Sequence, residues 1–180
     1  MQPNLSHVNP WWRIRGGGST GPDGHLFLST FEKQLDSKRR IVVPQEFRAA
    51  AASSFDGVFC FPSIEADCLE GGGKALFDRY EALIEELPFG DPLRSSLEFV
   101  IFGGMYQLAF DAAGRITLPE KLCEQFGLSD WVAVVGLKDR FQIWERDRYH
   151  ANREAQREAA RVGLVELRHQ QRARNLGGAA

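Results

Sequence analysis

Residues 36–44 read DSKRRIVVP and residues 111–119 read DAAGRITLP. Laid over one another at an offset of 75, Asp36 falls on Asp111, Arg40 on Arg115, Ile41 on Ile116 and Pro44 on Pro119. Ahead of the acids, Phe31 and Leu35 fall on Tyr106 and Phe110. A second anchor, Asp78-Arg79-Tyr80, recurs as Asp147-Arg148-Tyr149 at an offset of 69, so the first copy carries six more residues between its anchors. Two copies are too few for a solenoid, which needs several stacked units to bury a continuous core. They suit a domain with a pseudo-twofold axis. The triplet Gly71-Gly72-Gly73 marks the expected place of the surplus, because glycine runs read as loops that tolerate insertion.

Each copy predicts the same order of elements. Tyr106–Phe110 alternates Tyr, Gln, Leu, Ala, Phe, the period of a half-buried strand, and 27–35 has the same character. Each strand runs through the Asp-to-Arg turn into a second short strand, Ile41–Val43 or Ile116–Leu118. Pro44 and Pro119 suit the first turn of a helix, where the missing N–H costs nothing. Helices are expected over Gln45–Ala52 and Glu120–Phe126, the second closed by Gly127. Further strands are expected at Val58–Phe61, Trp131–Val135 and Phe141–Trp144. Each copy is therefore β-β-α-β with a trailing helix. Leu76, Tyr80, Leu83, Ile84 and Leu87 trace the apolar stripe of an amphipathic helix, and Asp91-Pro92 starts another over 93–102. The run from Arg146 pairs Glu154 with Arg157 and Glu158 with Arg161 at supportive helical spacing. Gly163 is expected to interrupt it, and beyond Gln170 it is expected to fray. The division that follows is a flexible leader at 1–25, units at 27–77 and 104–147, linker helices at 78–103 between them, and an Arg-rich helix and tail at 148–180.

Composition excludes several classes of function. With 180 residues, 43% of them hydrophobic, the chain can bury a core. No apolar run approaches the ~20 residues of a membrane span, and no secretory signal opens the chain, so a cytoplasmic protein is expected. Cys60, Cys68 and Cys123 are an odd number without metal-type spacing and read as buried reduced thiols. His7, His25, His150 and His169 are scattered, and no metal is expected. Gly71-Gly72-Gly73-Lys74 is not a phosphate loop, because Cys68 and Ala75 stand where that motif needs glycine and Ser or Thr. No nucleophile elbow occurs, and Glu81, Glu85 and Glu86 lie on a helix face where carboxylates are ordinarily solvated. No catalytic residue, cofactor or small-molecule substrate is expected. The net charge is only −2, yet residues 56–98 carry ten acids against Lys74, Arg79 and Arg94, while residues 146–180 carry eight arginines against four acids. Binding responds to such local fields more than to the total.

The two duplicated DxxxR turns with their prolines resemble the MraZ family of bacterial transcription regulators, built from two SpoVT-AbrB-type units. Phe27-Leu28 and Phe31-Glu32 resemble its opening strand, Asp91-Pro92-Leu93-Arg94 its DPxxR linker, and Val134-Val135-Gly136 with Ile143-Trp144 its closing strands. The resemblance runs from about Phe27 to Tyr149. It implies an α+β, mainly β, fold: a pseudo-twofold swapped-hairpin (double-split) β-barrel with flanking helices. It further implies a ring-shaped homo-oligomer, and nucleoid-associated binding to short G-rich direct repeats upstream of the division and cell-wall genes that include its own. By position, the family's DNA-contacting lysine and arginine are Lys38 and Arg40, with Arg115 as the second-copy equivalent. Two departures stand out: Arg39 replaces the glycine of the family's DxKGR, adding a cation beside the DNA-facing pair, and Ala112-Ala113 leaves the second turn one cation. Arg39 is expected to meet a phosphate.

A hairpin tip can enter the ~12 Å major groove, where arginine offers guanine two parallel donors and lysine a point charge. Asp36 and Asp111 repel phosphate, so they are assigned to shaping the turn through Asx-type hydrogen bonds or to orienting Arg40 and Arg115. For the second copy, DNA contact and an ordinary Asp–Arg surface pair, which is worth little, both remain open. An AbrB-like antitoxin is the runner-up, sharing the barrel but ordinarily carrying one copy and a toxin-wrapping tail. Leu26 falls where family members place their initiator methionine, so residues 1–25 are expected to be dispensable and to reflect a start placed too far upstream.

Overall fold

The computed structural model describes residues 26–53 and 55–177; the expected leader lies outside them. Each copy contributes four strands and two principal helices. The first holds β1 (Thr30–Gln34), β2 (Arg40–Val42), α1 (Gln45–Ala51), β3 (Gly57–Pro62), β4 (Leu69–Gly72) and α2 (Lys74–Glu85). A connecting helix, α3 (Pro92–Leu97), runs on into a π-helical turn at Glu98–Phe102. The second copy holds β5 (Tyr106–Ala109), β6 (Arg115–Thr117), α4 (Glu120–Phe126), β7 (Trp131–Gly136), β8 (Phe141–Glu145) and α5 (Arg146–Gly177). The fold is mixed α+β and mainly sheet.

The copies interlace. Six strands form one antiparallel sheet in the order β1-β7-β8-β4-β3-β5, and β2 pairs with β6 in a separate ribbon. Exchanging the equivalent strands of the two copies turns that order into its own reverse. The axis passes between β4 and β8 and between Ile41 and Ile116, which face each other in the ribbon. Among the described residues, the first strand of each copy pairs only with the third strand of the other: Thr30 opposite Val135, and Val58 opposite Leu108. The main core lies between the ribbon, the helices α1 and α4 and one face of the sheet. Phe47 on α1 is fully buried, and Phe27, Phe31 and Phe141 surround it at ring separations of 5.2, 5.5 and 5.7 Å. Pro44 and Pro119 precede α1 and α4 as expected, and Gly127 closes α4 in the left-handed conformation at φ 60°.

Three expectations need correction. Gly71-Gly72-Gly73 is no loop: Gly71 and Gly72 lie in β4, buried, with Gly71 opposite both Cys60 and Phe141. Each copy is therefore β-β-α-β-β-α, one strand more than β-β-α-β with a trailing helix. The glycines are there for space. A Cβ on Gly71 would stand 2.5 Å from the Phe141 ring, and one on Gly73 would stand 2.8 Å from the Ala51 carbonyl oxygen. The surplus residues are spread instead. The offset of 75 at the turns is 74 at Val58 and Val132, which pair with Leu108 and Lys33, and 72 at Glu70 and Gln142, which face each other. It reaches 69 only at the Asp-Arg-Tyr triplets. Second, Leu83 points outward from α2 while Leu76 and Ile84 are buried, so the stripe is narrower than the sequence pattern. Third, α5 runs unbroken through Gly163 to Gly177, although glycine costs a helix interior ~1 kcal/mol; no neighbour crowds Gly163. The three cysteines are free and buried, and burial pushes the Cys60 and Cys68 thiols up to about 12.

Replacing Gly71 with alanine should destabilise the protein by about 1–3 kcal/mol, since a methyl placed against a packed ring forces off-rotamer adjustment. Thermal melting checks this: an unchanged midpoint would mean that Phe141 steps aside freely.

Candidate nucleic-acid interface

β1 ends where Leu35 is buried, and the chain reverses in five residues to start β2. The Asp36 carbonyl accepts from the Arg39 amide at 2.8 Å, and the Asp36 amide donates to the Arg40 carbonyl at 3.1 Å. Its carboxylate does the rest. Oδ1 accepts from the Lys38 and Arg40 amides, both at 2.9 Å, while Oδ2 accepts from Arg40 Nε at 2.8 Å and lies 2.8 Å from Nη2. The second turn repeats the pattern. Asp111 Oδ1 accepts from the Ala113 and Arg115 amides at 2.9 Å, and Oδ2 accepts from Arg115 Nε at 2.7 Å. Only an aspartate can do this, with one oxygen on two amides and the other on a guanidinium; asparagine would set an NH2 donor against the arginine.

These bonds act on the charged carboxylate, and both acids respond. The Arg40 side chain, aided by its backbone amide, holds Asp36 down at about 2. Asp111 is lowered as well, chiefly by the Arg115 amide. Both are therefore ionised at neutral pH, and both guanidiniums stay tethered. Nε and Nη2 of Arg40 face Asp36, which leaves Nη1 outside the pair.

The fourth residue of each turn is left-handed, with φ 59° at Arg39 and 70° at Gly114. Glycine adopts this without penalty, whereas a residue with a Cβ pays ~1 kcal/mol or more. The carbonyls of these residues stitch each turn to the other copy: Leu118 donates to Arg39 at 2.8 Å and Val43 to Gly114 at 3.1 Å. Arg40 faces Thr117 and Arg115 faces Val42 across the ribbon, so the two arginines lie two residues apart along it, roughly 7 Å. Strand alternation turns Ile41 and Ile116 into the core and sets Arg40, Val42, Arg115 and Thr117 on the outer face. All four cations singled out in the sequence, Lys38, Arg39, Arg40 and Arg115, thus belong to one two-stranded ribbon and the turn that leads into each strand. Lys38 is exposed and the three arginines are half-buried; Arg39 Nη1 lies 3.8 Å from Glu120 at the start of α4.

One neighbour escaped the sequence reading. Arg48, on α1, lies with its guanidinium against Gly114, where a Cβ would stand 2.6 Å from its Cζ. The signal was present but long-range, because Arg48 falls on Cys123 in the 75-residue alignment, and only the interlaced fold brings it to the other copy's turn. Among the described residues, no group of His, Cys, Asp and Glu could hold a metal ion, and no helix is long and apolar enough to cross a membrane.

Comparison with known proteins finds the same duplication. A family model described as "MraZ protein, putative antitoxin-like" matches residues 26–99 and again 101–163, one match per copy. A protein of Phenylobacterium zucineum (strain HLK1), named Transcriptional regulator MraZ, is 75% identical over 84% of this chain and 94% of its own length. A protein of the same name from Caulobacter vibrioides (strain NA1000 / CB15N) is 69% identical over 86% of this chain and 99% of its own. One from Parvibaculum lavamentivorans is 40% identical over 69% of this chain and 79% of its own. With both copies matched in order and relatives this similar over most of its length, the chain belongs to the MraZ family, whose members are transcriptional regulators and not enzymes.

Proposed function

We propose that this chain is a sequence-specific DNA-binding transcriptional regulator, a repressor of the division and cell-wall gene cluster that includes its own gene. The observation that carries the reading is the tethered arginine. In each turn an aspartate fixes the arginine by its Nε edge and leaves the outer end of the guanidinium free. A guanidinium held in place loses less freedom on binding, and its free end matches the O6 and N7 acceptors of guanine in the major groove, which admits a two-stranded ribbon. In this reading Lys38, Arg39 and Arg40 form the principal reading head and Arg115 the lesser one, with Asp36 and Asp111 shaping the turns. The six-stranded sheet and the β2–β6 ribbon are then walls of one swapped-hairpin double-split barrel. Copies assemble into a ring in the cytoplasm, on the nucleoid, over short G-rich direct repeats.

Footprinting tests the assembly, because a closed cyclic array presents its heads in head-to-tail order and matches direct repeats, whereas an isolated two-fold dimer matches palindromes. The expected protection is a tandem array just upstream of the gene; a single inverted repeat would sink the ring. The description of the family model as antitoxin-like favours a second reading, an AbrB-like antitoxin, which co-purification of a small toxin would establish in place of the first.

Arg39 gives a further expectation. Arg39→Gly should raise stability by about 1 kcal/mol, since the substitution relieves a side chain held at positive φ. It should also weaken binding to specific and random DNA almost equally, with the salt-dependence slope falling by ~1 for each Arg39 that engages a phosphate. Melting and binding at several salt concentrations measure both; an unchanged slope together with unchanged stability would mean that Arg39 merely faces solvent.

A further inference from the structure

The two turns differ by an exchange that becomes visible only across the fold. In the second copy the left-handed position is Gly114, and Arg48 of α1 covers it so closely that Gly114 is buried. In the first copy that position is Arg39, and the residue of α4 equivalent to Arg48 is Cys123. Burial raises the Cys123 thiol while the nearby Arg39 charge opposes the rise, and Arg39 reaches Glu120 on the same helix. Each crevice between a turn and the helix of the other copy therefore holds one guanidinium and one small residue, supplied in opposite order. Arg39 Nε and Arg48 Nε are both buried and have no hydrogen-bond partner among the described residues.

The two differ in charge balance. Arg39 has Glu120 within 3.8 Å, whereas none of the ion pairs among the described residues includes Arg48. Arg48 is thus a half-buried guanidinium packed on the residue next to Arg115, with no carboxylate among the described residues in ion-pair contact, and a charge in that state favours an anion beside it. We propose that Arg48 is the cation that Ala113 and Gly114 do not supply: a phosphate-contacting residue that serves Arg115 as Arg39 serves Arg40. It positions the second head without reading sequence, as phosphate contacts do. The inference rests on the DNA-binding reading.

The test uses the full chain and its Arg48→Gln and Arg48→Lys variants. Binding is measured at several salt concentrations to two duplexes, the segment upstream of its own reading frame and a scrambled segment of equal composition. Arg48→Gln should lose affinity for both duplexes by the same factor, and its log–log salt slope should fall by ~0.9 for each Arg48 engaged. Arg48→Lys should keep the wild-type slope. Wild-type affinity and slope in Arg48→Gln overturn the inference and leave the DNA reading standing. A lowered melting point with an unchanged slope overturns it too, assigning Arg48 to packing over Gly114. If the wild-type chain binds neither duplex, the DNA reading itself fails.

Discussion

Arg40→Ala should abolish specific binding to the upstream DNA, while Arg115→Ala should weaken it less. Losing a bidentate guanine contact costs ~1–3 kcal/mol per reading head, and the loss multiplies when several linked heads bind together. The substitution also strands Asp36, whose carboxylate then faces the DNA without its partner at 2.8 Å, adding repulsion to the lost contact. Arg115 stands in a turn where Ala112 and Ala113 replace Ser37 and Lys38, so its removal takes away less of the local field. Stability should change little in either variant, since each Asp–Arg pair is about one-third open to solvent and pairs at the surface contribute ~0–1 kcal/mol. Gel shifts with both variants, alongside their melting curves, give the answer; wild-type affinity in Arg40→Ala would overturn the assignment.

Phe47→Ala should be the most damaging single change to the fold, at about 3–5 kcal/mol, the cost of truncating a fully buried aromatic. Phe47 is fully buried and touches rings from β8, from β1 and from the segment before β1. The cavity would open where α1 meets strands of both copies. Against a total stability of ~5–15 kcal/mol, the loss should lower the melting midpoint by on the order of 10 °C. Val42→Ala, on the exposed face of the β2–β6 ribbon, should stay within ~0.5 kcal/mol. Equal midpoints for the two variants would mean that the aromatic cluster does not anchor the core. DNA binding should fall in Phe47→Ala as well, because α1 follows directly on the strand that Arg40 opens.

What could be read in the sequence was local or repeated. The Asp-to-Arg turns, the prolines before α1 and α4 and the glycine closing α4 each depend on a few neighbouring residues, and duplication allowed the turns and the prolines to be read twice. Gly71 and Gly73 misled because their reason lies far along the chain, in the Phe141 ring and the Ala51 backbone; a glycine needed for close approach looks the same in sequence as one needed for a turn. The π-helical turn at Glu98–Phe102 also left no periodic trace, since its Phe99 and Val100 point outward. Arg48 could not be assigned to Gly114 without knowing that the first strand of each copy crosses to the other.

That crossing has a consequence for how the chain is made. Among the described residues Thr30 pairs only with Val135, so a nascent chain leaving the ribosome carries its first strand without that partner until nearly three-quarters of its residues have been synthesised. Such distant pairing makes for slow folding and prolonged exposure to wrong partners. The strand that waits is TFEKQ, with a glutamate and a lysine in five residues, and charges of this kind keep a lone strand from joining a neighbour's edge. Neither half of the molecule can close its own sheet, and the last strands to emerge complete the first.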